Sequence, residues 1–504
     1  MISFINQILR YITYLVLLFV YAANTLVGEE WPVSMPPPVS EQSQVCILCH
    51  RNYTPGIVED WLKSRHSEIT PQVALKKPPL ERRISSEIIP ESLEANVVGC
   101  YECHSLNASA HKDNFEHFGF MINVIVSPND CKVCHSVEIE QYSVSKKAHA
   151  VGNLQQNPLY HTFGETITGV KEIKDDKLFS LGSSEHTKAE TCYACHGTVV
   201  TVKGMKKVLS KMGEIDVPDL ANWPNQGVGR VNPDGSMGAC TSCHPRHNFS
   251  IEVARKPYTC SQCHIEPDVP AFEVYKESKH GNIFFSQQHE WIWNNVPWRI
   301  GKDFQAPTCA TCHNSLITTP DNKVIVSRTH DFGARLWVRL FGLIYTHPQP
   351  KSGKTYVIKN KEGLPLPTSY TGELASEYLI DKNEQMHRQI EMMKVCQACH
   401  NTDWVNQHFV KLDATIAETD RMCLSATRLL QKAWNEGLAD PANPFDETIE
   451  HLWTMQWFFY ANSVRYASAM GGHGYATFKN GWWELTANLV KMKDMVVNQK
   501  KGDE

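Results

Sequence analysis

Cys240-Thr-Ser-Cys243-His244-Pro-Arg-His247 and, starting twenty residues later, Cys260-Ser-Gln-Cys263-His264 decide the fold. Cysteines three apart lie on one face of a helical turn, so both sulfurs can bond the two vinyl groups of one porphyrin while the adjacent histidine reaches its iron. Toward the N-terminus the same pentad recurs as Cys192-Tyr-Ala-Cys195-His196, Cys131-Lys-Val-Cys134-His135, Cys100-Tyr-Glu-Cys103-His104 and Cys46-Ile-Leu-Cys49-His50. Toward the C-terminus it recurs as Cys309-Ala-Thr-Cys312-His313 and Cys396-Gln-Ala-Cys399-His400. Eight copies use sixteen of the seventeen cysteines and imply eight covalently bound haem c groups, each with an iron. Zinc sites do not demand histidine directly after every second cysteine. A disulfide framework explains neither the histidines nor a chain of 504 residues. The leftover Cys423 reads as a small buried apolar residue.

Motif starts are separated by 54, 31, 61, 48, 20, 49 and 87 residues, which excludes a fixed-period repeat. With so many porphyrins, the cofactors themselves must form much of the interior. The expected fold is mainly α: a multihaem cytochrome c with a loop-rich, haem-packed core over 29–403 and a helical C-terminal region over 404–504. That region has no haem motif. Its apolar periodicity predicts long helices at Leu412 to Trp434, Ile449 to Met470 and Trp482 to Val497. The Trp453 to Phe459 stretch within it reads as buried helix.

Composition narrows the partners. A formal net charge of -5 gives no electrostatic support for binding nucleic acid or an anionic membrane. At the N-terminus, Arg10 closes a short polar region and Tyr11 to Ala23 form an apolar run, which reads as an export signal over 1–28. The run is too short for the roughly 20 residues of a spanning helix. No integral membrane segment is expected in the mature chain. Export to the periplasm or an equivalent compartment matches where c-type haems are attached.

Eight motif histidines leave fifteen others among the 23, enough to supply each iron with a second ligand. Three of them follow an aromatic residue and a serine: Trp61-Leu-Lys-Ser64-Arg-His66, Tyr142-Ser-Val-Ser145-Lys-Lys-Ala-His149 and Tyr275-Lys-Glu-Ser278-Lys-His280. His247 follows a haem motif by three residues and can point at a neighbouring porphyrin. His117, His330 and His387 are further candidates, with His408 and His451 as competitors. An iron with two protein ligands only carries electrons, whereas catalysis needs an open face, and no motif ends in a residue other than histidine to mark one.

These features, together with His117-Phe-Gly-Phe-Met-Ile-Asn-Val-Ile-Val leading into Cys131 and Ala306-Pro-Thr-Cys309, resemble the octahaem hydroxylamine oxidoreductase family. The resemblance implies that the fourth motif, Cys192, Cys195 and His196, carries the catalytic haem. It also implies a homotrimer, a small inorganic nitrogen substrate and a small cytochrome c as electron partner. Family members place an Asp-His pair over the catalytic iron shortly after the sixth motif; this chain has Glu266-Pro267-Asp268-Val269, keeping the carboxylate and losing the imidazole. Asp268 also suits a helix N-cap. Oxidative members cross-link a C-terminal tyrosine to a neighbouring subunit's porphyrin. The matching segment, Gly472-His473-Gly474-Tyr475-Ala476, offers Tyr475 at a one-residue shift. Loss of the histidine tilts the expected chemistry toward reduction, for example of nitrite. The alternative is a non-catalytic electron-transfer cytochrome.

Overall fold

Helices dominate the computed structural model, which describes residues 37–502; the export-signal reading of 1–28 lies outside them. Residues from Val39 onward form one unit that is mainly α, with loops and short two-stranded hairpins between the motifs. Local chemistry sets the helix starts. Ser40, Asn401 and Asp381 each accept a backbone N–H in the first turn of Glu41–Tyr53, Thr402–Asn435 and Lys382–Gln397, satisfying donors that a helix start leaves unpaired.

The C-terminal region is built from Thr402–Asn435, Thr448–Thr454, Ala461–Met470 and Trp482–Gly502. Thr402–Asn435 buries Val405, Phe409, Leu412, Thr419, Cys423, Ala426 and Leu430, one stripe at helical spacing. Cys423 is 1% exposed, packed in the main apolar cluster with Leu430, Ile449, Trp453, Trp457 and Leu485. The same cluster takes in Leu343, Ile344, Tyr345 and Leu366, so the motif-bearing segment and the C-terminal helices share a core. Within the Ile449 to Met470 run, Met455–Tyr460 winds as π-helix. Arg465, fully buried, pairs with Asp420 and donates to Thr419 Oγ1 at 3.0 Å, locking that run to the long helix.

A second cluster is aromatic: Tyr275, Phe284, Trp291, Trp293, Trp298 and Phe304. It braces the segment between the sixth and seventh motifs. The paired strands Thr201–Ser210 and Gly213–Ala221 form a long, largely exposed hairpin just after the fourth motif. No described helix is long and apolar enough to cross a membrane.

Candidate haem sites and the fourth motif

Each motif folds as one helical turn. The second, fourth and seventh are five-residue helices, Cys100–His104, Cys192–His196 and Cys309–His313. In the third, fifth, sixth and eighth the histidine amide donates to the carbonyl of the first cysteine at 2.9–3.0 Å. That turn gathers two thiols and an imidazole on one side, the donor set that a covalent porphyrin requires. Hydrogen bonds to the nitrogen facing away from the porphyrin orient the rings. His104 Nδ1 meets the Asn123 carbonyl at 2.7 Å and His50 Nδ1 meets Thr54 Oγ1 at 2.7 Å, which leaves Nε2 for a metal. Burial pushes His66, His196, His244, His313 and His330 down to about 4, so they are neutral, ligand-competent imidazoles at neutral pH.

Three pairs of rings face each other at one separation. Ring centroids are 6.2 Å apart for His50 and His117, 6.3 Å for His66 and His135, and 6.1 Å for His280 and His400. Two metal–imidazole bonds of about 2.0 Å, plus the distance of about 1.1 Å from each nitrogen to its ring centre, require about 6.2 Å. The residues fit an iron between each pair. His247 lies within electrostatic reach of His104, and His330 of His244. His66 Nδ1 and His330 Nδ1 are buried without a partner.

Two expected ligands are placed elsewhere. His149 lies against Gly353, its ring bonded to the Ser143 backbone and its titration lowered by the Lys354 charge, with no motif imidazole among the groups acting on it. His387 is exposed on the Lys382–Gln397 helix. Of the competitors, His408 stacks on Trp404, which stacks on His400, while its Nε2 meets the Ala469 carbonyl at 3.2 Å. His451 is exposed on Thr448–Thr454.

The motifs form a connected chain. The Cys131 and Cys240, Cys195 and Cys263, and Cys260 and Cys309 thiols adjoin and shift one another's titration. Cys46 and Cys100, Cys103 and Cys134, Cys243 and Cys260, and Cys312 and Cys396 stand within electrostatic reach. The order is therefore first, second, third, fifth, sixth, seventh, eighth, with the fourth motif attached as a branch at the sixth. A cavity of about 1690 Å³ runs past the fourth, sixth, seventh and eighth motifs. It exceeds the 300–1,000 Å³ or so of a single small-molecule pocket.

The fourth motif has its own surroundings. The His196 ring bonds the Ala150 backbone, and the charges acting on it are Lys147 and Arg339; the imidazole it does reach electrostatically is His264 of the sixth motif. Its position is fixed from behind. The Val228 and Gly229 amides donate to the Cys195 and His196 carbonyls at 2.9 and 3.0 Å, and Gly197 turns away at φ +100° with the Arg230 backbone where a Cβ would sit. Asp268 lines the same cavity, its charge felt by Cys192, Cys195 and Tyr466, and burial holds its carboxyl above the ordinary range. It does not cap the following helix: Pro270 holds that position, and the Asp268 carboxylate meets its own and the Val269 amide. Tyr466, pushed up to about 12 by burial, sits between Asp268 and Arg339. Tyr475 is fully buried, its hydroxyl donating to Glu266 Oε2 at 2.9 Å within its own chain. It presents no free phenol to a neighbouring subunit.

Sequence reasoning missed Arg339, Tyr466 and Lys147. Also missed was His347, whose Nδ1 meets the Pro348 carbonyl at 2.7 Å while Nε2 is buried and unpartnered beside Arg339. Serial thiol–imidazole turns connected in this way define a multihaem c-type cytochrome.

Two family models agree: "Seven times multi-haem cytochrome CxxCH" matches residues 233–326 and "Cytochrome c554 and c-prime" matches residues 130–216. A solved "hypothetical multiheme protein" is 44% identical with a TM-score of 0.87, over 94% of this chain and 98% of the other. The reducing HAO-like protein complex of Kuenenia stuttgartiensis shares the fold at 17% identity and a TM-score of 0.61, over 92% of this chain and 86% of that one. A probable nitrite reductase-hydroxylamine oxidoreductase fusion protein of the same organism is 22% identical over 413 residues, 79% of this chain. The chain spans 38% of that curated relative's length. The chain belongs to the multihaem cytochrome family of that 44%-identical relative, and its likeness to the reducing HAO-like complex is one of fold.

Proposed function

We propose that the chain is an exported octahaem c-type cytochrome that reduces a small inorganic nitrogen compound, of the nitrite and hydroxylamine class, at the iron held by His196. The carrying observation is that Arg339 acts on His196, while the imidazole within electrostatic reach of it, His264, belongs to the sixth motif and its own iron. Bound haem supplies an iron that takes small nitrogen ligands and exchanges electrons one at a time. The chain supplies the rest. Ala150 orients the imidazole through its carbonyl, and the Arg339 guanidinium offers a fixed positive charge to an anionic substrate. Asp268, its carboxyl raised by burial, and Tyr466 beside it can hold protons for a reaction that consumes them.

The reductive direction is favoured by the commitment of Tyr475 to Glu266, which leaves no tyrosine free for an oxidative-type cross-link at that position. His50, His104, His135, His244, His264, His313 and His400 would hold the electron-transfer haems. His117, His247, His66, His330 and His280 would serve as second ligands on the first, second, third, fifth and eighth. Within this reading a small cytochrome c exchanges electrons with the chain, and three copies assemble. The rival, a non-catalytic carrier, draws on the path from first to eighth motif, which bypasses the fourth.

Turnover of nitrite and hydroxylamine by the holoprotein with a reduced dye tests the proposal. Activity that falls at least tenfold in Asp268→Asn, with attached-haem mass unchanged, is expected. No turnover of either compound by the wild type would favour the carrier.

A further inference from the structure

Three segments of this chain share one turn. At Trp61, Tyr142 and Tyr275 the serine three residues on donates its amide back to the aromatic residue's carbonyl, at 2.9, 3.0 and 3.0 Å. The serine Oγ then accepts from the amide three residues further: Ser64 from Ser67 at 3.3 Å, Ser145 from Ala148 at 3.4 Å, Ser278 from Gly281 at 3.1 Å. Each aromatic residue is also tethered by its polar tip to a distant carbonyl: Trp61 to Val98, Tyr142 to Val228, Tyr275 to Pro307. In all three the residue two beyond the serine is delivered to a motif histidine. It is His66 before His135 and His280 before His400. In the middle copy it is Lys147, whose Nζ lies 3.3 Å from Nε2 of His264.

We propose that Lys147 is the second axial ligand of the iron held by His264, so that the sixth haem has His/Lys coordination. The ammonium releases one proton to bulk water, and the neutral amine's lone pair then forms the Fe–N bond; no electron is transferred. Two metal–nitrogen bonds of about 2.0 Å place opposed donors about 4 Å apart. Nζ must therefore retreat by less than 1 Å, which a flexible four-carbon stem accommodates. That stem runs beside Phe332, with Nζ 4.9 Å from the ring centre. The sixth motif is the branch point, in contact with the fourth, fifth and seventh. Since axial-ligand identity is a main lever on haem potential, Lys147 sets the branch haem apart from its bis-imidazole neighbours. The assignment does not depend on whether the His196 iron turns over.

The test uses the holoprotein and two variants, Lys147→His and Lys147→Ala, each checked by mass for the wild-type haem load. Near-infrared magnetic circular dichroism of the oxidised protein distinguishes histidine–amine from bis-histidine low-spin haem. The wild type should show one histidine–amine haem, and Lys147→His should convert it to bis-histidine. Reduced Lys147→Ala should bind one more equivalent of CO than the wild type. A wild-type spectrum without a histidine–amine band overturns the proposal, whether or not the variants fold. So does a band that persists in Lys147→His, or unchanged CO stoichiometry in Lys147→Ala.

Discussion

Replacing His111 with alanine should unfold the region that holds three haem motifs in register. The imidazole is fully buried between two carboxylates, Nδ1 at 3.1 Å from Asp113 and Nε2 at 3.1 Å from Asp130. The same carboxylates organise their surroundings: Asp113 accepts the Ile125 amide at 2.9 Å, and Asp130 accepts the Ser127 amide at 2.7 Å and Asn107 at 2.8 Å. Asp130 immediately precedes Cys131, and the hairpin that follows Asp113 carries His117 and the Asn123 carbonyl that orients His104. Burial alone would lower the His111 pKa, but the bonds and charges of the two aspartates outweigh it and raise it from 6.5 to about 10. Because the folded value lies above the unfolded one, this stabilisation is complete below pH 6.5 and lost as pH rises through about 10. At 1.36 kcal/mol per unit it amounts to about 4 kcal/mol at pH 7 and about 1 kcal/mol at pH 9. Removing one partner of a buried ion pair costs a similar 3–5 kcal/mol or so. Guanidinium unfolding of wild type and His111→Ala at pH 6, 7 and 9 should show a gap in stability that narrows as pH rises. A constant gap across that range, or a variant as stable as wild type at pH 7, would refute the reasoning.

Other perturbations separate the parts of the site. Gly197→Ala should cost at least about 2 kcal/mol, because φ is +100° and the Cβ would lie 2.3 Å from the Arg230 nitrogen; a haem-loaded variant with wild-type melting would contradict this. Arg339→Gln should raise KM for nitrite more than for uncharged hydroxylamine, while equal effects on both would remove Arg339 from anion binding. His66→Ala should open the haem held by His135 and add one CO-binding equivalent to the reduced protein. An unchanged CO titration would sever that pairing.

Much of the architecture was legible because it is written in local patterns. The CxxCH pentad is contained in one helical turn, and the apolar stripe of Thr402–Asn435 lies in a single element. His66 and His280 could be read from the aromatic–serine turn. Lys147 is not legible from a histidine-based pattern, because the residue two beyond the Ser145 cap is a lysine and the next histidine, His149, comes two residues later. Arg339, Tyr466 and His347 were not legible: they reach the fourth motif from segments more than 140 residues away, and no short-range periodicity announces that packing. Asp268 suits both a helix cap and a site residue by sequence, and in the structure Pro270 takes the cap. The hairpin Thr201–Ser210 with Gly213–Ala221 went unread because its faces are both largely exposed and show no clean alternation of burial.

The central claim is that the iron held by His196 has a face open to a small nitrogen ligand. Room-temperature magnetic circular dichroism of the oxidised holoprotein, before and after addition of nitrite, tests it most directly. The account predicts a high-spin ferric haem that turns low-spin when nitrite binds. A spectrum that is entirely low-spin and unmoved by nitrite would contradict it.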